Sequence, residues 1–136
     1  MTTIKAPKKK EVFDFRTIKT KEDAFKKCGY DPAMLPDVSM IPGKYRATLT
    51  TAFILMVIFE AINDGWEPDF SNHNQAKYYP WPWISSSGFG FSGSDCVCVS
   101  ADASVGSRLC TDTSDKALYI AEQFKDLYQD YFLYSE

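Results

Sequence analysis

Cys96-Val97-Cys98, Cys110 and His73 are the residues of this chain whose types could hold a metal ion. Side chains of an extended strand repeat every second residue, so Cys96 and Cys98 share a face. With Cys110 from the next strand and His73 from a loop, a Cys₃His zinc site can be drawn. Paired zinc ligands, however, are spaced two to four residues apart, and a single residue separates this pair. The cysteines therefore read as reduced strand thiols, and neither a metal nor a cofactor is assigned. His73 could also serve Ser85, Ser86 or Ser87 as a general base, oriented by Asp69. No G-x-S-x-G elbow presents such a serine, and a loop histidine among Asn72 and Asn74 reads as solvated. Asp64, Glu67 and Asp69 cluster closely enough for proton transfer or Mg²⁺ binding, but they follow a long apolar segment and suit a helix end and its turn. Ser87-Gly88-Phe89-Gly90 lacks the helix and lysine of a phosphate-cradling loop. These residues predict no enzyme and no catalytic group.

The aromatic stretch is more informative. Tyr78, Tyr79, Trp81, Trp83, Phe89 and Phe91 cannot all face one small core if their strands alternate. Exposed members near Lys77 and Arg108 could stack nucleic-acid bases at about 1–3 kcal/mol each or meet a protein partner. A sheet covered on both faces would instead absorb them all. Both readings stand at this level.

The elements that must position these residues follow from local signals. Thr20-Lys21-Glu22-Asp23 resembles a capping box with Asp for Glu, and Gly29 supplies a stop, predicting a helix over 21–28. Asp31-Pro32 starts a further turn. From Lys44 to Asn63 no Pro or Gly interrupts, and the residues are apolar on nearly every face, which predicts one long buried helix. Asn63-Asp64-Gly65 ends it, and Trp66, Pro68 and Phe70 pin the exit. Pro80 and Pro82 make 77–84 an edge strand or a crossing segment. Strands at 88–91, 96–100 and 105–111, joined by turns, predict an antiparallel β-meander. Thr113-Ser114-Asp115 caps a last amphipathic helix to about Leu133, its stripe of Ala117, Ile120, Ala121, Phe124, Leu127, Tyr128 and Tyr131 covering the sheet. The expected class is α+β: N-terminal helices with one long buried helix, a small meander and a C-terminal helix packed on it.

Composition bounds the rest. The 136 residues are 45% hydrophobic, 24% charged and 15% aromatic, which suits a globular core and excludes disordered and collagen-like classes. Residues 1–11 read as a flexible basic tail and 12–136 as a single domain. The net charge of −3 is asymmetric. Residues 1–27 hold nine Lys/Arg against four acids, and 28–136 hold six against fourteen. The body thus repels phosphate at long range while the tail attracts it. Thr2 to Phe15 is polar and basic, unlike a secretory signal. The apolar run Ala52 to Phe59 is eight residues, against the roughly 20 that span a bilayer. The expectation is a cytoplasmic protein with reduced thiols and no membrane partner.

Pro36-Asp37-Val38-Ser39-Met40, Ala61-Ile62-Asn63-Asp64-Gly65-Trp66-Glu67-Pro68, Asn74-Gln75-Ala76-Lys77-Tyr78-Tyr79-Pro80-Trp81, Ser87-Gly88-Phe89-Gly90-Phe91-Ser92 and Val105-Gly106-Ser107-Arg108-Leu109-Cys110 resemble one family. It is an uncharacterised family of small phage and prophage proteins of gut Bacteroidota, crAss-like phages included. The resemblance covers about residues 20–134 and implies a viral or mobile-element setting, in the bacterial cytoplasm or the virion. It carries over no catalytic residues. It also implies that 93–104, the hairpin tips, is the most variable stretch, where partner contacts would sit.

Together these readings predict a non-enzymatic accessory protein that binds another macromolecule, a phage or host protein, through Tyr78, Tyr79, Trp81, Trp83, Ser94, Asp95, Asp102 and Arg108. Self-association belongs to the same class. The alternative is a single-stranded nucleic-acid binder using Lys5, Lys8, Lys9, Lys10 and Lys77 with the aromatic strands.

Overall fold

The computed structural model describes the backbone of residues 12–81, 83–85, 88–90, 92–93, 96–97, 99–101 and 109–132, and the side chains of 12–81 and 109–132. The described chain is mostly helical. Helix α1 (Lys21–Cys28) begins at the predicted capping box, with Thr20 Oγ1 accepting from the Asp23 N–H (3.1 Å) and Asp23 Oδ2 accepting from the Thr20 N–H (3.1 Å). It ends at Gly29, whose φ of 78° is the left-handed stop a glycine provides, and the Tyr30 N–H closes onto Phe25 O at 2.9 Å. Ala24 and Phe25 face inward, Phe25 meeting Phe53 edge-on at 6.0 Å.

Helix α2 (Gly43–Asn63) is the spine. Pro42 offers no side-chain cap; instead Arg46 folds back from the first turn and donates to Ile41 O (2.7 Å) and Ser39 O (3.1 Å). Asp64 ends the helix at φ 46°, a left-handed conformation that Asp tolerates better than most residues. Its burial is one-sided. Ile54, Leu55, Val57, Ile58, Ala61 and Ile62 are interior, whereas Tyr45, Leu49 and Met56 are 39–48% exposed. Those three are four and seven residues apart, so they fall on one helical face. The expectation of a long helix buried on most sides is thus met only in part: one face of α2 remains exposed. By length and composition, with a mean hydropathy of 1.5, α2 could also cross a membrane. The apolar run of eight residues ends at Glu60, but the helix continues on both sides of it with few charges.

Among the described residues the strands form short pairs, and the predicted meander is not confirmed; its third strand, 105–111, lies largely outside the described residues. The pairs are β1 (Tyr78–Pro80) with β6 (Val99–Ala101), β2 (Trp83–Ser85) with β3 (Gly88–Gly90), and β4 (Ser92–Gly93) with β5 (Cys96–Val97), all antiparallel. Tyr78 is not at an edge. It lies opposite Ala101 and also exchanges both backbone hydrogen bonds with Thr111 (2.9 and 2.7 Å). Pro80, opposite Val99, is accommodated because this pairing is short and needs few donors.

The C-terminal helix is two helices. α3 (Ser114–Gln123), capped by Thr113, packs on β1 and β6, and α4 (Lys125–Phe132) packs on α2. The predicted stripe is present, with Ala117, Ile120, Ala121, Phe124 and Tyr128 all buried. It bends at Phe124 (φ −116°, ψ 32°) because its two halves serve different partners. The segment before α1 is tied to α3, where Tyr119 Oη donates to Ile18 O (2.6 Å) and Gln123 Nε2 to Lys19 O (2.9 Å).

Candidate functional site

Where α2 stops, the chain turns back and builds a groove. Asp64 and Gly65 are both at positive φ, and the Trp66 N–H returns to Asn63 O at 3.1 Å. This reversal sets Trp66, Pro68 and Phe70 beside Met56, Phe59, Glu60 and Asn63, around a groove of about 510 Å³ that Glu67 also lines. Phe59 is buried; Met56 and Phe70 are exposed, and Trp66 and Pro68 are half-buried. The adjoining hollow of about 220 Å³ is lined by Lys27, Cys28, Glu60, Asp64 and Glu67, among others. An apolar floor thus carries an acidic rim. The rim's one lysine, Lys27, is engaged: its ammonium pairs with Asp64 at 2.7 Å and sits over the Phe13 ring at 4.2 Å.

Two groups in this groove are held with precision. The Tyr30 hydroxyl reaches both oxygens of Glu60 (2.8 and 3.1 Å), a contact that in turn raises the tyrosine's pKa. Asn63, 94% buried by its 6% exposure, donates through Nδ2 to Cys110 O at 2.9 Å. A carbonyl can only accept, so this bond orients the amide and leaves Oδ1 facing away. That Oδ1 is buried and has no hydrogen-bond partner. Such an orphaned acceptor costs about 1–3 kcal/mol.

Of the contact residues singled out from sequence, Lys77, Tyr78, Tyr79 and Trp81 are described in full. Tyr78 and Tyr79 are half-buried, and Trp81 is 56% exposed with its ring 6.0 Å from that of Tyr79. The side chain of Trp83 and the whole of Ser94, Asp95, Asp102, Arg108, Lys5, Lys8, Lys9 and Lys10 lie outside the described residues. Lys77 has no exposed surface. Its ammonium donates to Asn72 O (3.3 Å) and Gln75 O (3.1 Å) and faces the Phe70 ring at 5.4 Å. It supports the floor of the 66–77 loop and leaves no surface to meet a phosphate.

His73 is exposed, and Asp69 is occupied locally, accepting from the Ser71 N–H (3.0 Å) and hydroxyl (2.6 Å). Those bonds hold its carboxyl below the usual range. Asp64, as expected, closes a helix. Cys110 is fully buried and its thiol is pushed up to about 11 by burial; Cys28, half-buried, is likewise raised to about 11, by burial and then by Glu60. The side chains of Cys96 and Cys98 lie outside the described residues. Among the described residues no three His, Cys, Asp or Glu side chains gather as metal ligands do.

The groove was only half legible. Trp66, Pro68 and Phe70 stand out as helix-exit residues and Asp64, Glu67 and Asp69 as an acidic cluster. Nothing in the sequence marks Met56 as exposed or Asn63 as buried, because α2 carries apolar residues on every face. Compared with protein-family models, curated proteins and solved structures, the chain matches none.

Proposed function

We propose that this chain is a non-enzymatic binding module, a phage or mobile-element accessory protein whose partner is another protein of phage or host. The observation that carries the reading is the groove at the end of α2. It presents large apolar side chains to solvent inside an acidic rim, a combination that suits a protein segment with an apolar body and positive charge. The acidic body and the buried Lys77 weigh against phosphate as the ligand there. In this reading Tyr78, Tyr79, Trp81 and Trp83 are a second part of the contact area. Virion incorporation and self-association belong to the same class, and no membrane is required.

The test is site-directed photo-cross-linking in cells producing the chain. A photoreactive phenylalanine analogue at Met56 is expected to yield one discrete protein adduct, while the same probe at Glu122, on the exposed face of α3, yields none. Equal labelling from both positions would refute the assignment of this groove.

A further inference from the structure

Glu60 of the acidic rim and the orphaned amide oxygen of Asn63 lie on one turn of α2, and together they point to what the groove takes. Glu60 and Asn63 are three residues apart on α2, hence neighbours on its surface, and both line the groove, as does Glu67. Glu60 is already positioned by Tyr30, and a carboxylate has lone pairs beyond the two that one hydroxyl engages. Asn63 Oδ1 can only accept, and its amide cannot turn over without breaking the bond to Cys110 O. Among the described residues that line the groove none is cationic, and the two ammonium groups beside it are engaged, Lys27 with Asp64 and Lys77 with the carbonyls of Asn72 and Gln75. Trp66 and Phe70 supply ring surface beside it, and Met56, unbranched and about half exposed, is the side chain able to yield to an entering group.

Resting on the binding-module reading above, we propose that the groove seats an arginine side chain of the partner protein. Its guanidinium donates to Asn63 Oδ1 and to the carboxylates of Glu60 and Glu67, and its stem lies against Met56, Trp66 and Phe70. Arginine fits better than lysine, because its planar fork donates in several directions at once, stacks on aromatic faces and is less strongly hydrated. An apolar side chain would leave Oδ1 unsatisfied and strip water from the two carboxylates without replacing it.

The experiment uses the full chain, ¹⁵N-labelled, titrated with three blocked tripeptides: leucyl-arginyl-leucine and its citrulline and norleucine counterparts. The arginine peptide is expected to shift the Asn63 side-chain amide and the Trp66 indole N–H, and to bind at least tenfold more tightly than either counterpart. Glu60→Gln and Glu67→Gln change exposed side chains and keep the fold, which the same spectra verify; each is expected to weaken the arginine peptide severalfold. If the norleucine peptide shifts the same residues with equal affinity, the arginine seat is refuted while the groove remains a docking site. If none of the three perturbs Met56, Trp66 or Phe70, the seat and the groove's role both fall.

Discussion

Ile58 and Met56 are two residues apart on α2, equally apolar and indistinguishable by sequence pattern, yet the structure assigns them opposite environments. Ile58 is 0% exposed and Met56 is 48% exposed. Truncating a fully buried isoleucine to alanine removes its transfer free energy and leaves a cavity, at a cost of about 2–5 kcal/mol. Met56 already has about half its surface in water. Full burial of such a side chain is worth about 1.5–3 kcal/mol, so Met56→Ala should cost about 1 kcal/mol. The difference between the variants is then about 2 kcal/mol or more. For an m-value of about 2 kcal/mol/M in urea, Ile58→Ala should unfold about 1 M earlier than Met56→Ala. Urea unfolding followed by far-ultraviolet circular dichroism reads both midpoints, with unchanged m-values confirming that neither variant alters the states compared. Equal losses in the two would mean that α2 is packed on both faces, which would refute the orientation on which the groove depends.

Thr20→Ala should cost about 1 kcal/mol by removing the N-cap of α1, seen as a fall in thermal midpoint. Asp23, at the third helical position, has its pKa lowered chiefly by the hydrogen bond from the Lys19 N–H. Its stabilising contribution is therefore complete above the unfolded value near 3.8 and is lost as pH falls through the lower folded value, so Asp23→Asn should flatten the acid limb below pH 4. Cys110, with its thiol at about 11 against 9.0 for a free one, should react with iodoacetamide at pH 8 about a hundredfold more slowly in the native chain than in urea. Peptide-resolved mass spectrometry that found equal labelling in both would contradict its burial. A labelled single-stranded oligonucleotide should show no anisotropy change at low salt with a chain lacking residues 1–10, because the remaining surface is acidic and Lys77 is enclosed; tight binding by that truncated chain would revive the nucleic-acid reading.

What the sequence disclosed was local, and what it concealed was relational. The capping box at Thr20 and the stop at Gly29 are complete within ten residues, so α1 was readable to the residue. The bounds of α2 were nearly so, since Pro42 and Gly65 bracket it. Its rotation was not, because a segment apolar on every face has no preferred inward side until α1 and α4 choose one. The same limit explains the strands. Tyr78 faces Ala101 and Thr111, partners 23 and 33 residues away, and such pairings are selected by packing under α3 rather than by turns. The bend at Phe124 is likewise invisible in a stripe that runs unbroken from Ala117 to Tyr131. Lys77 misled because a lysine beside aromatics usually lies at the surface, whereas the carbonyls of Asn72 and Gln75 here turn inward to receive it.

Asn63 has one polar end that the fold uses and one that the proposed arginine seat would use. Its Nδ2 bond to Cys110 O fastens the end of α2 to the chain that leads into α3, across 47 residues. A leucine or alanine at this position would fill or vacate the space but leave the Cys110 carbonyl without its donor, so the amide has a structural reason to be there. That reason accounts for only one of its two polar ends. The carbonyl end is carried at a cost of about 1–3 kcal/mol, a sizeable share of the roughly 5–15 kcal/mol that holds a domain of this kind together. A donor arriving from a partner would recover that cost at the moment of binding and not before. In the proposed seat the orphaned oxygen would favour a partner that brings an N–H over one that merely buries apolar surface, a route to specificity in a groove whose floor is otherwise apolar.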